Sequence, residues 1–207
     1  MRFSAVILAG GRSSRMKRDK AFLPCRGTTL LARQVELVRE LAPAEILISG
    51  RADADYGALG LPVLLDRFTD LGPLAGVERA LAEAHSPLLL VLAVDLPDMT
   101  ADFLRGLAAR CRAGSGAVPR TGQGLEPLAA LYPQAMQPIA AAMLAEGISA
   151  MTEFVRRGVA AGLVDECACP PADEACFKNW NGPEDVDPAN GIRSSAPDRA
   201  TPGRSRR

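Results

Sequence analysis

The sequence predicts an α/β protein, a three-layer Rossmann-like fold with helices on both faces of a mostly parallel central sheet. Three observations carry this. Short apolar runs alternate with stretches of helical periodicity along most of the chain, the pattern of a parallel sheet covered by helices. One run, residues 88–94 (LLLVLAV), is apolar at all seven positions, which puts it in the sheet centre with both faces buried. The length of 207 residues suits one domain of this class.

Residues 4–10 (SAVILAG) form a first buried strand that ends on glycine. Residues 29–41 form a helix, with Leu30, Leu31, Val35, Leu37, Val38 and Leu41 along one apolar stripe and Pro43 stopping it. Strands follow at 45–49 (EILIS) and 61–65 (LPVLL), then a helix at 74–84 and the central strand at 88–94. Beyond it the pattern predicts a helix at 102–111, strands at 116–119 and 128–132 (LAALY), helices at 134–144 and 149–157, and a last strand at 163–166. Residues 187–207 are rich in Pro, Gly, Ser and Arg and hold almost no large apolar side chains. Such a segment cannot bury enough surface to offset its ordering entropy. The expected division is therefore a folded domain at 1–186 and a disordered basic tail at 187–207.

Lys plus Arg and Asp plus Glu both number 24, but the tail from Ile192 carries five Arg against Asp198 alone. The preceding body is thus mildly acidic, which argues against nucleic acid as a partner. No apolar run approaches the roughly 18 residues of a membrane span, and the chain opens into a strand without a signal-peptide core. The expectation is a cytoplasmic protein with no membrane partner. The five cysteines form no disulfide framework. Cys167, Cys169 and Cys176 lie close together, but no later His or Cys supplies a fourth ligand, so they read as scattered thiols.

Four segments carry chemistry. In residues 8–20 (LAGGRSSRMKRDK), two glycines after a buried strand open a loop with five cations in nine positions. Glycine lets backbone N–H groups approach a phosphate closely, and the cations neutralise it. Neither the Walker A spacing nor the dinucleotide fingerprint fits this loop. Asp19 reads as a local cap or a partner for a neighbouring cation. Asp95 directly follows the apolar run, at a strand end where open α/β sheets bind ligands. A carboxylate there needs compensation, and a Mg²⁺ ion would supply it. The alternative is a helix cap, but Thr100 and Asp102 are nearer candidates. Residues 71–76 (LGPLAG) turn into a helix just after Asp66, and residues 177–185 (FKNWNGPED) place two Asn on one side of an extended segment. The lone His85 reads as a surface residue.

In this order the four segments resemble the molybdenum cofactor guanylyltransferase (MobA-like) family of the nucleotidyltransferase superfamily. The resemblance rests on LAGG…R-M…DK at 8–20, GPLAG at 72–76, VDLP at 94–97 and N-x-N-x-PED at 179–185, and it spans the chain up to the tail. It implies transfer of GMP from Mg-GTP to the terminal phosphate of molybdopterin or the molybdenum cofactor, with Mg²⁺ as cofactor and pyrophosphate released. GTP and molybdopterin are the implied partners, with molybdoenzyme maturation proteins as further ones. By position, Leu8, Ala9, Gly10 and Gly11 would cradle the nucleotide, with Gly72, Pro73, Leu74 and Gly76 also lining its site. Lys20 would neutralise the α-phosphate, Arg15 would address the outer phosphates, and Asp66 would contact the nucleoside. Lys20, Arg15 and Asp95 would be the catalytic groups, with Asp95 holding Mg²⁺. Glu126, in a polar-Pro segment, and Asn179 and Asn181 would face the pterin side. Two departures stand out: Lys17 replaces the family glycine, and Gly182 replaces a threonine. The competing readings are a cytidylyltransferase or another phosphate-ester nucleotidyltransferase of the same fold, and a nucleotide-binding sensor without turnover.

Overall fold

The structure, a computed structural model, describes residues 2–10, 20–68 and 71–180. In chain order, β1 (Ser4–Leu8) is followed by a hairpin of β2 (Pro24–Cys25) and β3 (Thr28–Thr29), then α1 (Leu30–Arg39) and β4 (Ile46–Gly50). Next come β5 (Val63–Leu65), α2 (Pro73–Glu83), β6 (Leu88–Ala93) and α3 (Ala101–Arg110). The remainder is β7 (Gly116–Thr121), β8 (Gly124–Leu125), β9 (Ala129–Pro133), α4 (Gln137–Ala145), α5 (Met151–Ala160) and β10 (Val164–Ala168).

The main sheet runs β10-β7-β9-β6-β1-β4-β5, with β8 paired to β7. β6, β1, β4 and β5 are mutually parallel, as are β7 and β10. β9 opposes both β6 and β7, so these two share a direction. Every strand of the path except β9 therefore ends at one edge of the sheet.

Alternation along the strands divides the core into two layers. Ala5, Ile7, Ile48, Leu88, Leu90, Leu92 and Leu131 face α1 and α3. Val6, Leu47, Leu89, Val91, Ala130 and Tyr132 face α2, α4 and α5. The three-layer expectation holds. All six residues of β6 are buried, and the strand lies mid-sheet, as its unbroken apolar run requires.

Some local features differ from the sequence pattern. The expected helix at 134–144 is a 3₁₀ turn, Gln134–Met136, leading into α4, whose first turn holds Pro138. Proline lacks the N–H that a helix interior needs but is tolerated there. The β2–β3 hairpin escapes detection because its turn is Arg26-Gly27, with φ of 49° and 83°, and not the usual Asn-Gly pair. The cysteine-bearing loop forms a 3₁₀ segment, Pro171–Phe177, with Cys176 in the core; all five cysteines are free. Among the described residues no helix is long and apolar enough to cross a membrane. The tail at 187–207 lies outside the described residues.

Candidate active site

The common edge of the sheet gathers most of the residues singled out in the sequence. β1 ends at Leu8, level with Ser49 of β4 and Ala93 of β6. The Ala9 amide donates to the Ser49 carbonyl at 2.8 Å, and the Leu8 carbonyl accepts from the Val94 amide at 3.2 Å. The strand end is thereby fixed between its neighbours, with Gly10 half-buried at the rim. Gly11 and Arg15, with the rest of 11–19, lie outside the described residues.

Asp95 sits just beyond β6, in a turn whose flanking residues Val94, Leu96 and Pro97 are buried. Lys20, opening the 3₁₀ turn Lys20–Phe22, reaches it: Nζ lies 3.2 Å from Asp95 Oδ2, with each side chain about a quarter exposed (22% and 25%). Two residues 75 apart in sequence thus meet at the carboxyl end of the central strand. Asp95 is not a helix cap. Thr100 caps α3, its Oγ1 accepting from the Phe103 amide.

The Asp95 carboxylate suits a Mg²⁺ ion. It is a hard oxygen donor open to solvent on one side, and its Oδ1 makes no hydrogen bond among the described residues. Among the described residues no cluster of three or more His, Cys, Asp or Glu could enclose a metal alone. Mg²⁺ is commonly held by one or two carboxylates together with substrate phosphates, which matches this donor set.

Asp66 follows β5 at the same edge. Desolvation pushes its carboxyl above the usual aspartate range; Ser49 Oγ, donating at 3.4 Å, opposes this, and the Glu78 charge adds to it. Gly72 caps α2 with φ 66° and ψ −161°, a conformation that disfavours any side chain, and Pro73 opens the helix. Both are exposed. α2 therefore presents its N-terminus at the edge, where the helix dipole favours an anion. Leu74 and Gly76 instead face inward and are buried. A Cβ on Gly76 would stand 2.4 Å from Ser49 Oγ and 3.3 Å from Leu8 Cδ2, so this glycine lets α2 settle onto β1 and β4.

Across β9, the connection from β8 to β9 carries Glu126 at the same edge. Its amide donates to the Pro119 carbonyl, and its Oε1 accepts from Thr121 Oγ1 at 3.1 Å. Burial raises its pKa, against the Thr121 hydrogen bond. Asn179 is exposed beside Trp180, whose ring is buried and whose amide donates to the Asp95 carbonyl at 2.9 Å. Asn181 lies outside the described residues. His85 is exposed as expected, its Nδ1 2.9 Å from Glu45 Oε2, and it precedes β6 at the end of that strand opposite Asp95.

Sequence reading missed Trp180, Ser49 and two residues of α1, Arg33 and Gln34, which bond to the Pro97 and Leu96 carbonyls. One signal was available. Gln34 falls at helical spacing between Leu30, Leu31 and Val38, so the buried stripe of α1 contains a polar residue.

The family model of the MobA-like NTP transferase domain matches residues 5–161. A probable molybdenum cofactor guanylyltransferase of Opitutus terrae is 40% identical over 187 residues, covering 89% of this chain and 93% of that protein. The crystal structure of molybdopterin-guanine dinucleotide biosynthesis protein A from Archaeoglobus fulgidus superposes with a TM-score of 0.70 at 21% identity, over 90% of this chain and 96% of that one. A Mycobacterium tuberculosis protein solved in complex with manganese gives 0.59 at 21%, over 82% and 89%. At such identities the two structures establish the fold. The match across most of its length, together with the O. terrae relative, shows that the chain belongs to the MobA-like NTP transferase family.

Proposed function

We propose that the chain transfers GMP from Mg-GTP to the terminal phosphate of molybdopterin or the molybdenum cofactor, forming the guanine dinucleotide and pyrophosphate. The observation that carries this reading is the meeting of Lys20 and Asp95 at the carboxyl end of β6, beside the glycine end of β1. The names of the relatives supply the nucleotide and the acceptor class.

An acceptor phosphate oxygen attacks the α-phosphorus, and the bond to the β-phosphate oxygen breaks. A phosphate nucleophile is already anionic at neutral pH, so the site needs positioning and charge neutralisation more than a base. Leu8, Ala9, Gly10 and Gly11 cradle the nucleotide through backbone groups. Gly72 and Pro73 offer it the N-terminus of α2, which Leu74 and Gly76 hold against the sheet. Asp66 contacts the nucleoside. Lys20, ion-paired with Asp95, turns to the α-phosphate, and Arg15 addresses the outer phosphates. Asp95 would hold Mg²⁺, which would supply charge neutralisation for the leaving pyrophosphate. Glu126, Asn179 and Asn181 line the acceptor side.

The reaction places the chain in the cytoplasm, where GTP and the pterin are available, with molybdoenzyme maturation proteins as recipients of the product. Residues 1–186 carry the activity, and the basic tail at 187–207 is a tether for an acidic partner. The test is to incubate the protein with Mg²⁺, molybdopterin and each nucleoside triphosphate in turn, and to identify the dinucleotide. Guanine dinucleotide is expected. Cytosine dinucleotide would replace this reading with that of a cytidylyltransferase, and nucleotide binding without product would make the chain a sensor.

A further inference from the structure

Four contacts hold four consecutive residues of the loop that presents Asp95. From the C-terminal side, the Trp180 amide donates to the Asp95 carbonyl at 2.9 Å. From the opposite side, Gln34 Nε2 donates to the Leu96 carbonyl and Arg33 Nε to the Pro97 carbonyl, each at 2.6 Å. Arg26, in the turn before α1, is ion-paired with Asp98. None of the four touches the Asp95 carboxylate, which is left to Lys20.

Packing alone would close this loop, since Leu96, Pro97 and Met99 are all buried. A buried amide is an expensive way to do the same. Gln34 is 1% exposed, and its Oε1 finds no hydrogen-bond partner among the described residues. An apolar side chain of similar volume would avoid that desolvation. What the donors add is direction. Gln34 holds the Leu96–Pro97 peptide and Arg33 the Pro97–Asp98 peptide, while the Trp180 amide holds the Asp95–Leu96 peptide. The backbone that carries the Asp95 carboxylate is thus fixed at three successive planes. Partners bonded directly to a metal-binding carboxylate typically contribute roughly 10- to 100-fold to affinity, and donors that act through the backbone beside it contribute at the lower end of that range, about 10-fold.

We infer that Gln34 and Arg33 are positioning residues for the transfer reaction: by gripping the carbonyls of Leu96 and Pro97 they set the orientation in which Asp95 receives a divalent metal. The inference rests on the proposed role of Asp95. The same grip ties α1 to the loop that presents Asp95.

The experiment is a Mn²⁺ titration followed by electron paramagnetic resonance, with GTP present, on the full chain and on Gln34→Met, Arg33→Met and Asp95→Asn. Met keeps the length of Gln34 while removing the donor. In Gln34→Met the Mn²⁺ affinity should fall about 10-fold, with the melting temperature within a few degrees of wild type. A purely structural role would lower the melting temperature and leave the affinity of the folded protein unchanged. Should Gln34→Met fail to fold, the partly exposed Arg33→Met decides in the same way. Wild-type Mn²⁺ affinity in the folded variant, alongside a loss in Asp95→Asn, overturns this inference alone. Wild-type affinity in Asp95→Asn overturns the parent reading and this one with it.

Discussion

The two halves of the sheet end at the same edge but finish their strands differently. In the parallel half, β6, β1, β4 and β5 run out into Asp95, Gly10, Arg51 and Asp66, and the loops beyond carry small residues and an N-terminal helix turn. In the other half, β7 and β10 are laced together. Near their carboxyl ends Arg120 pairs with Glu166 at 2.6 Å, and beyond them Glu174 accepts from the Gly122 amide at 2.8 Å. The difference teaches a division of labour. A parallel half leaves its strand ends and backbone groups open to a ligand, whereas the half interrupted by β9 closes its rim with an ion pair between β7 and β10 and a hydrogen bond from Glu174. On that second rim, Glu126 is the one proposed site residue within a described strand connection.

The comparison breaks most sharply at Asp95. Asp95→Ala should remove metal-dependent turnover, a loss on the order of 10³-fold or more, while the melting temperature stays near that of wild type. The side chain is a quarter exposed and its removal leaves β6 intact, so stability has little to lose. Near-normal turnover in a steady-state assay would sink the assignment.

Lys20 comes next. In the transition state negative charge gathers around the transferring phosphoryl group, where a fixed ammonium gains more than it had in the ground state. Lys20→Ala should lower kcat roughly 10²- to 10³-fold with a smaller change in GTP affinity by calorimetry. Lys20→Arg should restore only part of this, because a planar fork replaces a point charge. If GTP binding is lost while single-turnover chemistry at saturation stays normal, Lys20 is a ground-state anchor.

How much of this was legible depended on how local the cause was. Strands and helices follow from periodicity within ten residues or so, which is why β6 and its terminal Asp95 stood out. The glycine-ended β1 was legible for the same reason. What local pattern could not show was who meets Asp95: Lys20 lies 75 residues away, and the donors to Leu96 and Pro97 lie 62 and 64 away. Such contacts are set by strand order, and β6 lands beside β1 only once the crossovers are made. Gly76 shows the opposite error of emphasis. In sequence it belongs to a ligand-facing turn, yet in the fold its missing side chain serves the contact between α2 and the sheet.

A mutation in the laced half should move stability and spare catalysis. A Cβ on Gly116 would stand 2.1 Å from the Leu131 carbonyl oxygen, and backbone cannot yield as a flexible side chain does. Gly116→Ala should cost about 1–3 kcal/mol, a fall of roughly 2–10 °C in melting temperature for a chain of this size. Turnover per folded molecule should be unchanged. A parallel fall in kcat at temperatures where the variant is folded would mean that the two halves are not separable.

The smallest effect compares two carboxyls that occupy matching places on the two rims. Asp66 and Glu126 both have raised pKa values, chiefly from desolvation, and each is partly relieved by a hydroxyl, from Ser49 and Thr121 respectively. A carboxyl whose folded pKa exceeds its unfolded value binds its proton more tightly in the native state. Stability from that group is therefore full below the unfolded pKa, near 3.8 for Asp66 and 4.5 for Glu126, and is lost as pH rises through the folded value. Replacing either by its amide removes the charge and with it the loss. Asp66→Asn and Glu126→Gln should each be slightly more stable than wild type at pH 7, and the advantage should vanish below about pH 4. Denaturant titrations at both pH values read this directly. The functional consequences should then separate: Asp66→Asn weakens GTP binding and leaves the acceptor KM unchanged, whereas Glu126→Gln does the reverse. Were both to weaken GTP alone, Glu126 would belong to the nucleotide side, and the boundary between donor and acceptor would lie beyond β7.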